Sequence, residues 1–77
     1  MLFLIEYDRK RGKIVTLQTF SDAEEASAQF ARLEKELDLN RAAIEHEVVI
    51  LEANDEKALR RTHRRYFESL EELAKAS

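Results

Sequence analysis

The chain contains no cysteine, which excludes disulfides, a thiolate nucleophile and any cysteine-ligated zinc site. Proline is also absent and glycine occurs once. These lacks remove the punctuation of loop-rich or disordered chains and predict regular elements joined by short turns. No apolar run approaches the ~20 residues that a bilayer-spanning helix requires. The apolar start, Met1 to Ile5, has no basic residues before it and meets Glu6, Asp8 and Arg9 at once, unlike a secretory leader. A cytoplasmic location and no membrane partner are therefore expected.

With 77 residues, 44% hydrophobic and 38% charged, the chain is expected to form a single domain, 1–77, with a thin core. Domains of this size often gain stability by oligomerising. The formal charge of -3 gives no global attraction to nucleic acid or anionic lipid. Basic residues nevertheless gather at Arg9, Lys10, Arg11 and Lys13, and again at Lys57, Arg60, Arg61, Arg64 and Arg65. Acids concentrate from Asp22 to Asp38 and after Glu68.

Taken in order, residues 2–8 read as a strand, Arg9 to Gly12 as a turn with glycine supplying a positive φ, and residues 13–20 as a returning strand. With Asp8 opposite Lys13, an unbroken register groups Phe3, Ile5, Tyr7, Ile14, Thr16 and Phe20 on one face. Leu2, Leu4, Val15 and Leu17 fall on the other, so both faces carry apolar area. Ser21-Asp22-Ala23-Glu24 has the form of a capping box and opens a helix over 22–39. Its apolar stripe of Ala23, Ala26, Phe30, Leu33 and Leu37 is expected against the sheet. Arg41 to Glu45 is a connection, compatible with a helix extension or a further short turn. The β-branched run Val48-Val49-Ile50-Leu51 predicts a strand over 46–53 covered on both sides. Asn54 is a suitable cap for a second helix over 55–74, with Leu59, Thr62, Tyr66, Leu70 and Leu73 inward.

The order ββαβα predicts an α+β fold, a three-stranded antiparallel sheet of order 2-1-3 with two helices on one face. This order resembles the small ferredoxin-like modules, a similarity of topology that implies no function. Helices on one face leave Leu2, Leu4, Val15, Leu17, Val49 and Leu51 uncovered, and the expectation is a homodimer with these residues at its interface, joined either sheet face to sheet face or through strand 3 as a paired edge.

Chemistry is sparse. Arg60, Arg61 and Arg64, near Tyr66 and Phe67, have the residue types of a phosphate-contacting and base-stacking surface, and so does the hairpin tip with Arg9, Lys10, Arg11 and Lys13. Acid-first pairs such as Glu56 and Arg60 instead describe an ordinary solvated helix face. His46, flanked by Glu45 and Glu47, and His63 lack any metal-ligand spacing, and no serine sits in a nucleophile motif. No enzyme activity, metal or cofactor is expected. The leading functional expectation is a small dimeric regulatory or adaptor module that binds an unidentified protein. A nucleic-acid-binding dimer is the alternative, less favoured, and a small-ligand pocket between subunits near Tyr7, His63 and Tyr66 is a third.

Overall fold

Strand β1 (Leu2–Asp8) and strand β2 (Lys13–Phe20) lead into helix α1 (Glu25–Arg41), strand β3 (Glu47–Glu52) and helix α2 (Glu56–Thr62), with 3-10 turns at Asp22–Glu24 and Arg64–Tyr66. The computed structural model describes residues 1–67. The sheet has the expected order β2-β1-β3, with β1 antiparallel to both neighbours. The most apolar strand lies in the middle, where its backbone is paired on both sides.

At the hairpin tip Asp8 does face Lys13, and Gly12 takes φ 67°. The Asp8 carboxylate turns into the loop, where Oδ1 accepts the Lys10 and Arg11 amides at 3.0 and 3.1 Å. These bonds, that from Arg11 first, hold its carboxyl below the ordinary range.

A bulge between Glu6 and Tyr7 corrects the expected face assignment: Tyr7 pairs with Ile14 but Glu6 pairs with Thr16, so Val15 is the extra residue. From there onward β2 is turned over. Leu17 comes opposite Ile5, and Phe20 comes opposite Leu2. The slip lets Leu17 pack with Phe3, Ile5 and Tyr7, and buries Phe20 beside Leu4.

The helices lie on opposite faces, which corrects the prediction that they share one. α1 covers the Leu4 side, where Phe20, Ala28, Leu2, Ala31, Val48 and Ile50 cluster. Leu59 of α2 and Tyr66 cover the other side with Phe3, Ile5, Tyr7, Leu17, Val49 and Leu51. One helix per face closes both apolar sides of β1 within a single chain. Leu4 is consequently only 1% exposed. The six residues assigned to a subunit interface therefore do not form one surface: Leu2 and Leu4 lie under α1, Leu17, Val49 and Leu51 lie on the α2 side, and Val15 is in the bulge.

Local signals explain the helix ends. The Ser21 amide donates to the Glu24 carboxylate at 2.9 Å, as a capping box requires, but the box opens a 3-10 turn and the α-helix begins at Glu25. At the other end the Ile44 amide donates to the Leu39 carbonyl at 2.9 Å and the Ala43 amide to that of Asn40 at 3.2 Å. These are the two bonds of a Schellman motif. Ala43 occupies its left-handed position at φ 55°, where glycine is the usual residue.

For α2 the cap is Asp55 rather than Asn54, its side chain accepting the Ala58 amide at 2.7 Å. The expected long helix is interrupted: α2 ends at Thr62, and His63 adopts φ -122°, ψ 52°. The break directs the Arg65 carbonyl to the Tyr7 hydroxyl at 3.2 Å and seats the Tyr66 ring edge-on to Tyr7, 5.0 Å between centroids. The expected continuation to residue 74, with Leu70 and Leu73, lies outside the described residues.

Candidate functional site

Glu6 interrupts the apolar sequence of β1 and points to the side that α1 covers, where it is only 6% exposed. A carboxylate so placed requires cationic and hydrogen-bonding partners. Lys35 of α1 supplies the first, its Nζ donating to Glu6 Oε1 at 3.0 Å and to Thr16 Oγ1 at 3.1 Å. His46, just before β3, supplies the second, with Nδ1 2.5 Å from Glu6 Oε2 and Nε2 3.7 Å from Asp8 Oδ2. Burial works to raise the Glu6 pKa, but the bonds and charges of His46 and Lys35 outweigh it and hold the carboxyl below its ordinary range.

This cluster determines which side of α1 meets the sheet. Lys35 shares a helical face with Ala28, Ala31 and Leu39, and that face is turned inward. The expectation that Phe30, Leu33 and Leu37 pack on the sheet is overturned: they are 62%, 53% and 46% exposed. Projected at 100° per residue, they and Ala26 lie on the opposite side of the helix from Ala28 and Lys35. α1 is thus apolar on two sides, with Ala28, Ala31 and Leu39 inward and Phe30, Leu33 and Leu37 outward. Spacing alone could not separate the two, but a buried acid on β1 is the signal that selects the face carrying lysine.

The same cluster contains a carboxylate–imidazole pair, the orienting half of many acid–base sites. Among the described residues no hydroxyl or thiol is hydrogen-bonded to His46, and no group of three His, Asp or Glu side chains is placed to hold a metal. A concavity of about 480 Å³ beside it is lined by Asp8, Lys10, Arg11, Ala43, Glu45 and His46, a mixture of both charges. Every buried side-chain polar atom among the described residues has a partner. The arrangement holds α1 and the hairpin tip together. The two histidines do not meet, since His46 lies on the α1 side and His63 packs near Tyr66 on the other.

The basic residues divide into two classes. Arg9, Lys10, Arg11 and Lys13 are exposed at the hairpin tip. On the α2 side, Arg60 donates to Glu56 at 2.9 Å and lies over the Phe67 ring, while Arg65 binds Glu47 at 3.2 Å and lies over the Tyr66 ring. Arg61 and Arg64 are exposed on the outer surface. Glu45 and Glu47 meet Arg9 and Lys10 around one concavity, so acids are interleaved with the cations at this end. The position proposed for a ligand pocket is filled by the buried Tyr7 and Tyr66 rings, with His63 alongside.

Among the described residues no helix is long and apolar enough to cross a membrane. No protein-family model matches the chain, and comparison with curated proteins and with solved structures gives no significant match.

Proposed function

We propose that this protein is a small regulatory or adaptor module that acts by protein binding and works as a homodimer, with no catalytic role. The observation that supports this reading is the outward stripe of α1. Phe30, Leu33 and Leu37 are large, apolar and about half exposed on one side of a 17-residue helix.

A second copy of α1 is the occupant that suits the stripe. In an antiparallel pair, Ala26 meets Leu37 of the partner and Phe30 meets its Leu33, so large side chains interdigitate at the centre and a small one faces a large one at each end. The same pairing sets Arg41 of one copy opposite the acidic opening turn of the other, which carries Asp22 and Glu24, and opposes the helix dipoles favourably. Covering the exposed half of three large side chains on each copy yields about 5–9 kcal/mol of gross apolar gain. Set against the low end of the cost of association, about 4 kcal/mol, the upper end of this gain leaves a surplus of about 5 kcal/mol, so the dimer is weak, with a Kd of roughly 0.2 mM at best.

Sedimentation velocity from 10 µM to 2 mM tests the reading. The wild type is expected to move from monomer to dimer, and Leu33→Asp to stay monomeric while keeping its circular dichroism spectrum. A wild type that remains monomeric at 2 mM, or a Leu33→Asp variant that dimerises equally well, overturns it. The nucleic-acid alternative rests on the exposed hairpin tip. Its mark is a binding constant that falls steeply with salt, and the interleaved acids and the net charge of -3 weigh against it.

A further inference from the structure

The two edges of the sheet are built differently. β2 presents Lys13, Thr16, Gln18 and Thr19 along its length, and its bulge at Val15 disrupts the ladder. Polar residues, an edge lysine and a bulge are the usual devices that stop a strand from recruiting another. β3 has none of them along its centre. It is a six-residue run, Glu47-Val48-Val49-Ile50-Leu51-Glu52, paired only with β1 among the described residues. Its side chains are partly covered by the helices on either face, while its outer backbone edge carries no neighbouring strand among the described residues.

We infer that the open edge of β3 is a strand-addition site for an extended segment of a partner protein, one with basic residues on both sides of an apolar stretch. This rests on the adaptor reading and identifies how the module would grip its partner.

The charge pattern points to that occupant. Glu45 and Glu47 stand at one end of the edge and Glu52 at the other, and neither Glu45 nor Glu52 forms an ion pair among the described residues. An incoming strand gains main-chain hydrogen bonds from the edge and sequence preference from the residues at its ends. Lysine or arginine at both ends of the incoming strand matches Glu45 and Glu52, Glu47 being already held by Arg65.

A second copy suits the edge less well. Antiparallel β3 pairing centred on Val49 and Ile50 sets Glu47 directly against Glu52 of the partner, and like charges opposite one another destabilise a ladder. Registers that keep matching sheet faces together set Glu47 against Leu51 or Glu52 against Val48 of the partner. Pairing of β3 with the β2 edge of another copy is a head-to-tail contact, which forms a ring or a fibre rather than a two-fold dimer and meets the bulge and polar residues of β2.

The probe is a synthetic peptide, Lys-Lys-Val-Thr-Ile-Val-Lys-Lys, titrated into the full chain, with residue-resolved amide exchange as the readout. Saturable binding at 10–500 µM is expected, with at least tenfold slower exchange of outward-facing β3 amides. A version with glutamates for lysines, and one with alternate backbone amides methylated, should each bind at least tenfold more weakly. The double variant Glu45→Lys with Glu52→Lys alters two exposed side chains and should reverse the charge preference. Absence of binding at 1 mM, binding indifferent to backbone methylation, or protection confined to α1 overturns the inference. So does a shift in the self-association constant of the double variant, which would show the edge occupied by another copy. Repeating the titration on Leu33→Asp separates the two surfaces. Binding that persists in the monomeric variant supports the edge site independently of the dimer, and loss of binding there overturns the independence of the two surfaces.

Discussion

Lys35→Met tests whether the phase of α1 is set by charge. The variant keeps the length and much of the volume of the side chain but removes the cation that reaches Glu6 at 3.0 Å and Thr16 at 3.1 Å. Glu6 is buried, so losing a charge-assisted bond costs about 1.5–3 kcal/mol. Lys35 is itself partly solvated, with its side chain 26% exposed, and His46 remains on the other carboxylate oxygen. The expected loss is therefore about 2 kcal/mol at pH 7, a fall in Tm of roughly 8–16 °C for a domain of this size.

The pH dependence supplies a second readout. In the wild type the Glu6 carboxyl titrates below its ordinary value when folded, because the bonds from His46 and Lys35 outweigh burial. Its contribution to stability is therefore complete above the unfolded pKa and is lost as pH falls through the lower, folded one. Without Lys35, burial is opposed by His46 alone, the folded pKa rises, and the acid loss begins at higher pH. Urea unfolding followed by circular dichroism between pH 3 and 7 measures both effects. A loss under 0.5 kcal/mol at pH 7 together with an unmoved acid limb would refute the reasoning, leaving the Ala28 and Ala31 contacts as what seats the helix.

Two further outcomes follow from the helix ends. Ala43→Gly relieves the left-handed backbone at φ 55° in the Schellman motif and should raise unfolding stability by about 0.5–1 kcal/mol in the same urea assay. Asp55→Ala removes the acceptor of the Ala58 amide at 2.7 Å and should cost about 1 kcal/mol, with faster amide exchange across the first turn of α2.

Much of the architecture was legible in residue patterns. The apolar run at Leu2–Ile5 marked a central strand, the glycine turn and the Asp8–Lys13 match marked the hairpin, and Val48–Leu51 marked the third strand. These signals are local or period-two, and strand formation follows them closely. The capping box was read correctly as a helix opening, although its first turn is 3-10. The break at His63 was not legible, because 3.6-residue periodicity runs through it. It appears only when the Arg65 carbonyl finds the Tyr7 hydroxyl, 58 residues away in sequence.

The sequence by itself determined which segments are strands, their order in the sheet and the need for cover on both faces of β1. Only the tertiary structure decided what provides that cover. One bulge at Val15 turned the outer half of β2 over, since a single extra residue exchanges the two faces of a strand. One buried carboxylate, Glu6, required a cation from the helix above it, so Lys35 faces the sheet and Phe30, Leu33 and Leu37 face away. A helix with two apolar sides has no strongly preferred side on hydrophobicity alone, so the buried carboxylate, which needs charged partners, tips the choice.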